Sequence, residues 1–367
     1  MRIGIDARLT QYRKAGISRY TLQLLQGLVR CNQDDDFYVF QGRRHQEDLV
    51  AAPRFQRRTL WTPAHHRLEQ VTLPVEVSLS KVDIFHSPDF IPPFRGSFRS
   101  VITIHDLVFM LYPHFLTKEA ARYYGQIDQA VRRSDAIIAV SEATKRDVER
   151  LLGVPEKRIK VIYEAASPFF RPMDRTDARS QLRGRFRLEK PFVLFVSTIE
   201  PRKNIPTLLK AFRHFVDSYG LDVQLVLAGA KGWLYEQVFE VVDQLKLEDH
   251  VRFLGRVSAQ DLLLLYNGAS ALVAPSIYEG FGLTPLEAMA CGTPVVVSNV
   301  SSLPEVVSDA GLLVDPNEPE DISVALRRVL TDTELRESLI AKGFKRAGHF
   351  SWDKAAQETL ELYHSLS

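Results

Sequence analysis

The sequence predicts an α/β protein made of two doubly wound parallel sheets in tandem, and three observations carry that prediction. Short apolar runs alternate with amphipathic stretches at helical spacing along most of the chain, the pattern of strands separated by helices that cover both faces of a parallel sheet. The alternation breaks once, over residues 164–190, where periodicity weakens, two prolines fall and residues 171–187 are dense in charge. The length of 367 residues exceeds what one such core usually holds and suffices for two.

The first series opens with a strand at residues 2–7, followed by a helix beginning near Gly16 that sets Ile17, Tyr20, Leu24, Leu25 and Leu28 on one face. Further strands are predicted at residues 37–40, 82–86, 100–105, 136–140 and 159–162, with helices near 118–133 and 142–152. The second series has strands at residues 192–197, 223–228, 251–254, 271–274, 294–297 and 311–314, and its longest helix near 205–219. The expected division is one domain over 1–168, a second over 169–350, and a last helix within 351–367 that crosses back to the first domain. Ligands bind such sheets at the carboxyl ends of their strands, so a cleft faced by both domains is the expected site.

Composition narrows the class. With 45% hydrophobic and 25% charged residues the chain is an ordinary globular one. Its two cysteines, Cys31 and Cys291, sit in apolar helical stretches, which argues against a disulfide framework or a cysteine metal site and fits a reducing, cytoplasmic setting. The longest apolar run, residues 107–112, is far too short to span a bilayer, and Met1 leads directly into a charged strand, so neither a transmembrane helix nor a signal peptide is expected. The net charge of +2 conceals an asymmetry: residues 1–168 hold 25 Lys and Arg against 19 Asp and Glu, and the remainder holds 22 against 26. The basic surplus allows peripheral membrane contact through the N-terminal domain.

The most informative stretch runs from Ser276 to Ala290, SIYEGFGLTPLEAMA. Pro285 suits the first turn of a helix with Thr284 as its N-cap, which makes this a strand, a glycine-bearing loop and a helix N-terminus. Free N–H groups and the helix dipole would then face the loop, an arrangement that suits a phosphate. Glu279 lies in the loop and Glu287 one turn into the helix, so both can border one pocket.

Glu279 and Glu287, spaced in this way inside EGFGLTPLE, resemble the signature of family 4 glycosyltransferases, also called glycosyl transferase group 1. Residues 191–204 (PFVLFVSTIEPRKN) are similar to the first strand and loop of that family's donor domain, and Leu254 to Val257 and Ser302 to Val306 are similar to its later loops. In the first half, Ala15 to Tyr20, His105-Asp106 and Val140 to Glu142 match in kind and order. The resemblance covers essentially the whole chain and implies the two-domain glycosyltransferase-B fold, transfer with retention of anomeric configuration, no cofactor and no required metal.

It also implies roles, with 1–168 as the acceptor-binding domain and 169–350 as the nucleotide-sugar-binding domain. Arg202 and Lys203 would neutralise the departing nucleoside diphosphate, with the helix N-terminus at Leu283 and Thr284, in place of a divalent ion. Glu279 would contact hydroxyls of the donor hexose and Glu287 those of the ribose, with Phe281 and Gly282 completing the loop; a carboxylate accepts such bonds well. His105 would approach the donor sugar from the other domain. Gly16 would admit backbone to the donor phosphate or acceptor, and the base would lie along Arg256 and Val257. One position departs from the pattern: related enzymes commonly carry an arginine where this chain has Ser197.

Other features are set aside. Asp34 to Asp36 contains the Asp-x-Asp spacing of metal-dependent glycosyltransferases but reads as a solvated turn between a helix and a strand, and His65-His66 reads as surface. No GxGxxG follows a strand, which removes support for a dinucleotide oxidoreductase. Residues 54–61 (RFQRRTLW) mix cations with aromatics, yet an acceptor or membrane face fits them better than nucleic acid. Residues 198–204 with Ser298-Asn299 look most like members that use GDP-mannose in bacterial surface polysaccharide assembly; UDP-sugars stay open, and the acceptor, a glycan or lipid-linked glycan, is expected to meet variable loops at 41–73 and 88–100. The competing readings are a nucleotide-sugar epimerase of the same architecture and a two-domain binding protein without chemistry.

Overall fold

The computed structural model describes residues 1–11, 16–113, 118–232 and 235–367, so Ala15 of the first motif lies outside the described residues. The chain divides into two compact units, one of residues 1–164 with 351–367 and one of residues 165–350.

The first unit contains β1 (Arg2–Asp6), α1 (Gly16–Cys31), β2 (Asp36–Gly42), β3 (Phe55–Leu60), α2 (Glu69–Ser78), β4 (Ile84–Ser87), β5 (Arg99–Ile104), α3 (Val108–Leu111), α4 (Lys118–Tyr124), α5 (Ile127–Arg133), β6 (Ala136–Ala139), α6 (Glu142–Leu152) and β7 (Ile159–Val161). All seven strands run parallel in the order β3-β2-β1-β4-β5-β6-β7. Every residue of β4 and β6 is buried, as strands covered on both faces must be. Strand order reverses between β1 and β4, which opens a crevice at their carboxyl ends. Gly4 is required in β1, because a Cβ there would meet the Phe40 ring at 2.6 Å. Three parts of the first unit depart from the expectation. Residues 54–61, read as a cation-rich face, contain the edge strand β3, and the loop expected over 41–73 also carries the start of α2. The helix expected over 118–133 is two, α4 and α5, parted at Gly125 and Gln126.

The second unit contains α7 (Arg175–Phe186), β8 (Phe192–Val196), α8 (Ile205–Tyr219), β9 (Gln224–Ala228), α9 (Glu236–Gln244), β10 (Val251–Gly255), α10 (Ala259–Gly268), β11 (Ala271–Ala274), α11 (Leu283–Ala290), β12 (Val295–Ser298), α12 (Leu303–Val307), β13 (Gly311–Val314), α13 (Pro319–Thr331) and α14 (Thr333–Ala347). Its six parallel strands follow the order β10-β9-β8-β11-β12-β13, with the reversal between β8 and β11. One face of this sheet packs on Leu208, Leu209, Phe212 and Phe215 of α8, all fully buried, which is why that helix shows a clean apolar stripe. The last helix, α15 (Trp352–His364), belongs to the first unit. It lies close enough to α1 that a Cβ on Gly27 would meet the Trp352 carbonyl oxygen at 2.6 Å.

Candidate functional site

In the second unit the loops leaving β8, β11 and β12 meet beside the reversal point. After β8 the chain makes a short turn at Pro201–Lys203, and Asn204, in the left-handed region at φ 57°, starts α8. The Asn204 amide donates to the carbonyls of Pro275 (3.1 Å) and Pro316 (2.6 Å), which ties this turn to the ends of β11 and β13. The loop after β11 is held from the other side. Ser302 Oγ donates to the carbonyls of Glu279 (2.9 Å) and Phe281 (2.7 Å), the Glu279 N–H donates to Ser301 Oγ (3.0 Å), and Ile277 N–H donates to the Arg202 carbonyl (2.9 Å).

These ties bring three of the expected site residues into one ion-pair cluster. Lys203 Nζ donates to Glu279 Oε1 at 2.5 Å, Arg202 donates to Glu279 Oε2 at 3.1 Å and to Glu200 at 2.5 Å, and Ser276 Oγ donates to Glu279 Oε1 at 2.8 Å. Burial by itself would push the Glu279 carboxyl up, but the charges of Lys203 and Arg202 outweigh it and hold its pKa at about 2. Burial and the neighbouring Arg202 lower the Lys203 ammonium, against the pull of Glu279. The sequence expectation had Arg202 and Lys203 facing a diphosphate and Glu279 facing sugar hydroxyls. In the structure the three are paired with one another, because Lys203 is buried, Arg202 and Glu279 are largely so, and each charge needs a partner. Glu279 uses one of the three N–H bonds of the Lys203 ammonium.

The helix after this loop also differs in detail. Its N-cap is Gly282 rather than Thr284, so Leu283 and Thr284 form the first turn, and no side chain caps them. Gly282 has φ 114°, and a Cβ there would lie 2.9 Å from Leu303, so a glycine is needed for both conformation and space. Phe281 is buried, edge-on to Phe350 at 5.6 Å. Glu287 is buried inside the unit, where it accepts from the Tyr266 hydroxyl at 2.8 Å.

A cavity of about 340 Å³ opens at the carboxyl ends of β8, β9 and β10, lined by Ser197, Gly229, Lys231, Phe239, Phe253 and Gly255 among others. Phe239 and Phe253 pack at 4.6 Å, and Lys231 lies over the Phe239 ring at 5.3 Å. A Cβ on Gly229 would sit 1.7 Å from the Ser197 carbonyl oxygen, so only glycine lets these two loops press together. The sequence reading missed Gly229 and Lys231; a glycine directly after the strand 223–228 was the available signal. Arg256, which is exposed, and Val257, half-buried, follow this wall immediately without lining the cavity.

The remaining expected residues belong to the first unit. Both ring nitrogens of His105 are engaged, Nδ1 with Glu164 Oε1 at 2.9 Å and Nε2 with the Pro88 carbonyl at 3.0 Å. Two oxygen acceptors on one ring favour a hydrogen on each nitrogen; burial disfavours that charged form, and the bond and charge of Glu164 outweigh it, raising the pKa. Tyr20 closes over the ring edge-on at 4.8 Å. Gly16 begins α1 in the open, with nothing within 4 Å of where a Cβ would be.

At the crevice between β1 and β4 lies a cluster the sequence reading did not single out. Arg8 is fully buried and bonds Asp6 (2.6 Å), Glu69 (2.5 Å) and the Thr62 carbonyl (3.0 Å), while Asp89 accepts from His65 at 2.8 Å and from the Tyr123 hydroxyl at 2.9 Å. His65, expected at the surface, is therefore a partner of a buried carboxylate. The space left among these groups, about 10 Å³, fits a single water. Asp35, from the Asp-x-Asp stretch, accepts from the Met1 amino group and from His364, both at 2.8 Å.

Two parallel sheets wound in these orders define the glycosyltransferase-B class of fold. Sucrose-phosphate synthase of Thermosynechococcus elongatus superposes with a TM-score of 0.81 at 23% identity, over all of this chain and 99% of that one. HepE of Anabaena, in complex with UDP and glucose, superposes with 0.77 at 20% identity over the full length of both. In sequence, residues 15–167 match glycosyltransferase family 4 and residues 178–346 match glycosyl transferases group 1. O-antigen chain mannosyltransferase B of Escherichia coli is 32% identical over the full length of both chains, and a D-inositol 3-phosphate glycosyltransferase of Nocardioides is 32% identical over 66% of this chain and 56% of its own. The chain belongs to the family 4, group 1 glycosyltransferases.

Proposed function

We propose that this enzyme transfers mannose from GDP-mannose to a glycan or lipid-linked glycan acceptor in bacterial surface polysaccharide synthesis, with retention of configuration and without a metal. The observation that supports it best is the half-buried Arg202–Lys203–Glu279 cluster at the reversal point of the second sheet, in a chain alike along its whole length to an O-antigen mannosyltransferase. The serotype-specific mannosyltransferase WbdA of Escherichia coli adds to this at 30% identity over 75% of this chain and 34% of its own length.

On this reading the nucleotide base enters the 340 Å³ cavity beside Arg256 and Val257. The diphosphate meets Arg202, Lys203 and the uncapped N–H groups of Leu283 and Thr284, which supply fixed positive partners where negative charge develops. Glu279 holds the two cations in place and turns its remaining lone pairs to the mannose hydroxyls. Glu287 acts on the ribose through its place under the loop. His105 serves the sugar, and the departing phosphate helps to deprotonate the incoming hydroxyl. A membrane surface carrying the lipid-linked acceptor is met by the first unit.

The test is release of GDP from GDP-mannose with an acceptor pool, compared with UDP-sugars and repeated in excess chelator. GDP release that survives chelation, with an α-configured first product by proton NMR, is the expected result. Activity restored only by magnesium or manganese, or a product of inverted configuration, would sink the mechanism.

A further inference from the structure

Helix α2 is apolar on two opposite sides. Leu73 and Val77 are buried on Phe40, Leu60 and Phe85 of the first sheet. On the other side, Leu68, Val71, Val75 and Leu79 are 56%, 67%, 63% and 80% exposed. Their spacing of three, four and four residues confines them to an arc of about 80°, at 3.6 residues per turn. Trp61, 70% exposed, is anchored beside them, since its backbone N–H donates to Glu76 of α2 at 2.6 Å. Of the eight large apolar side chains exposed among the described residues, these are five, all within residues 61–79. Apolar side chains scattered singly need no account, but a contiguous stripe does.

Three exposed cations flank the stripe. Arg67 precedes Leu68, Lys81 follows Leu79 by two residues, and Arg43 stacks over Trp61 at 5.3 Å; all three are exposed. The two carboxylates of α2 are engaged by neighbours, Glu69 by the buried Arg8 and the half-buried Glu76 by the N–H groups of Trp61 and Thr62. A face of aliphatic side chains with an aromatic residue and a cationic rim complements a bilayer of anionic lipid. It does not complement itself, because a two-fold contact between copies would bring Arg67 and Lys81 of each against the same cations of the other.

We propose that the outer face of α2, with Trp61, Arg43, Arg67 and Lys81, is the surface by which the first unit docks on an anionic membrane. The aliphatic stripe enters the headgroup boundary and the cations meet lipid phosphates. This deepens the reading of a lipid-linked acceptor and rests on it only for its purpose.

Co-sedimentation of the full chain with phosphatidylglycerol-containing vesicles, and with pure phosphatidylcholine vesicles, tests the surface. The chain should bind the anionic vesicles, less at high salt, and the pair Val71→Glu and Val75→Glu should abolish binding. The pair Arg43→Glu and Arg67→Glu should weaken it about tenfold or more. Vesicles should shift tryptophan emission to the blue, and Trp61→Phe should remove that shift. All these side chains face solvent, so melting temperature should stay at the wild-type value; a glutamate pair that melts early is replaced by Val71→Ser and Val75→Ser, with the same loss expected. Equal binding by wild type and variants, or no binding by wild type, overturns the proposal. So does a concentration-dependent dimer that the valine variants dissociate while the wild type ignores vesicles. The assay contains neither donor nor acceptor. A chain that binds vesicles yet releases no GDP from GDP-mannose keeps the surface and loses the mannosyl reading, and the reverse result does the opposite.

Discussion

The two units carry related sheets, each with one reversal of strand order, yet the crevices at those reversals are filled differently. In the second unit, a cavity of about 340 Å³ stands beside the crevice, and a carboxylate bridges two cations at its edge. In the first, Arg8, Asp6 and Glu69 pack into the crevice with His65, Asp89 and Tyr123, and about 10 Å³ remains. Topology thus decides where a ligand can sit, and the loop side chains decide whether there is room for one. The second unit keeps open space beside its crevice. The first uses its equivalent charges to hold its own loops together.

The comparison breaks most visibly at Arg8. Arg8→Ala leaves Asp6 and Glu69 buried without their cation, and such a loss costs about 3–5 kcal/mol. Urea denaturation should show that drop while GDP affinity, measured by calorimetry, stays at the wild-type value; weakened GDP binding would mean the first-unit crevice also serves the donor.

Lys203→Ala carries the next largest effect, a fall in turnover on the order of 10²-fold, as removal of one preorganised partner of a developing charge typically gives. Near-wild-type kinetics from a folded variant would move the diphosphate elsewhere.

Glu279 and Glu287 sharpen the picture within the second unit. Glu279→Gln frees both cations from a full charge and should lower turnover more than it weakens GDP binding. Glu287→Gln alters a buried bond to Tyr266 under the loop and should weaken GDP binding itself. Identical phenotypes would mean that the two carboxylates act as one unit.

The smallest effect is in pH. Glu279 titrates below the ordinary carboxylate value, so its support for the second unit is present above about 4.5 and fades as pH falls towards about 2. His105 titrates above the ordinary histidine value, so its pairing with Glu164 supports the first unit fully below about 6.5 and fades as pH rises through its raised pKa. Hydrogen exchange followed across pH should therefore loosen the amides of α11 in acid and those at the end of β5 in alkali. Loosening of both at the same end of the scale would remove the distinction.

Much of this architecture was legible in the sequence because buried parallel strands are written as unbroken apolar runs. Ala271–Ala274 and Gly311–Val314, and the helix Ile205–Tyr219, have the bounds their patterns predicted. Phe55–Leu60 escaped because an edge strand with exposed polar side chains between its apolar ends carries no such run. The cap of α11 was misplaced by two residues because Thr284 and Pro285 form a plausible cap and first turn, whereas the helix starts where Gly282 reverses the chain. Glu279, Lys203 and Arg202 could each be named from motifs. Their pairing could not, since it spans 76 residues and depends on how Asn204 and Ser302 tie two loops together. The Arg8–Glu69 pair was hidden for the same reason, with no motif to mark either residue.

The helix α15 gives this molecule an order of assembly. Its Tyr363 hydroxyl bonds His86 at 2.6 Å in the interior of the first unit, its Trp352 lies against Tyr20, and Arg30 of α1 reaches Asp353 at 2.5 Å. A ribosome delivers these residues only after all of the second unit has been made. During synthesis the first unit must therefore wait with His86 uncovered and Gly27 unfilled, and it closes only when the last turn of the chain returns to it.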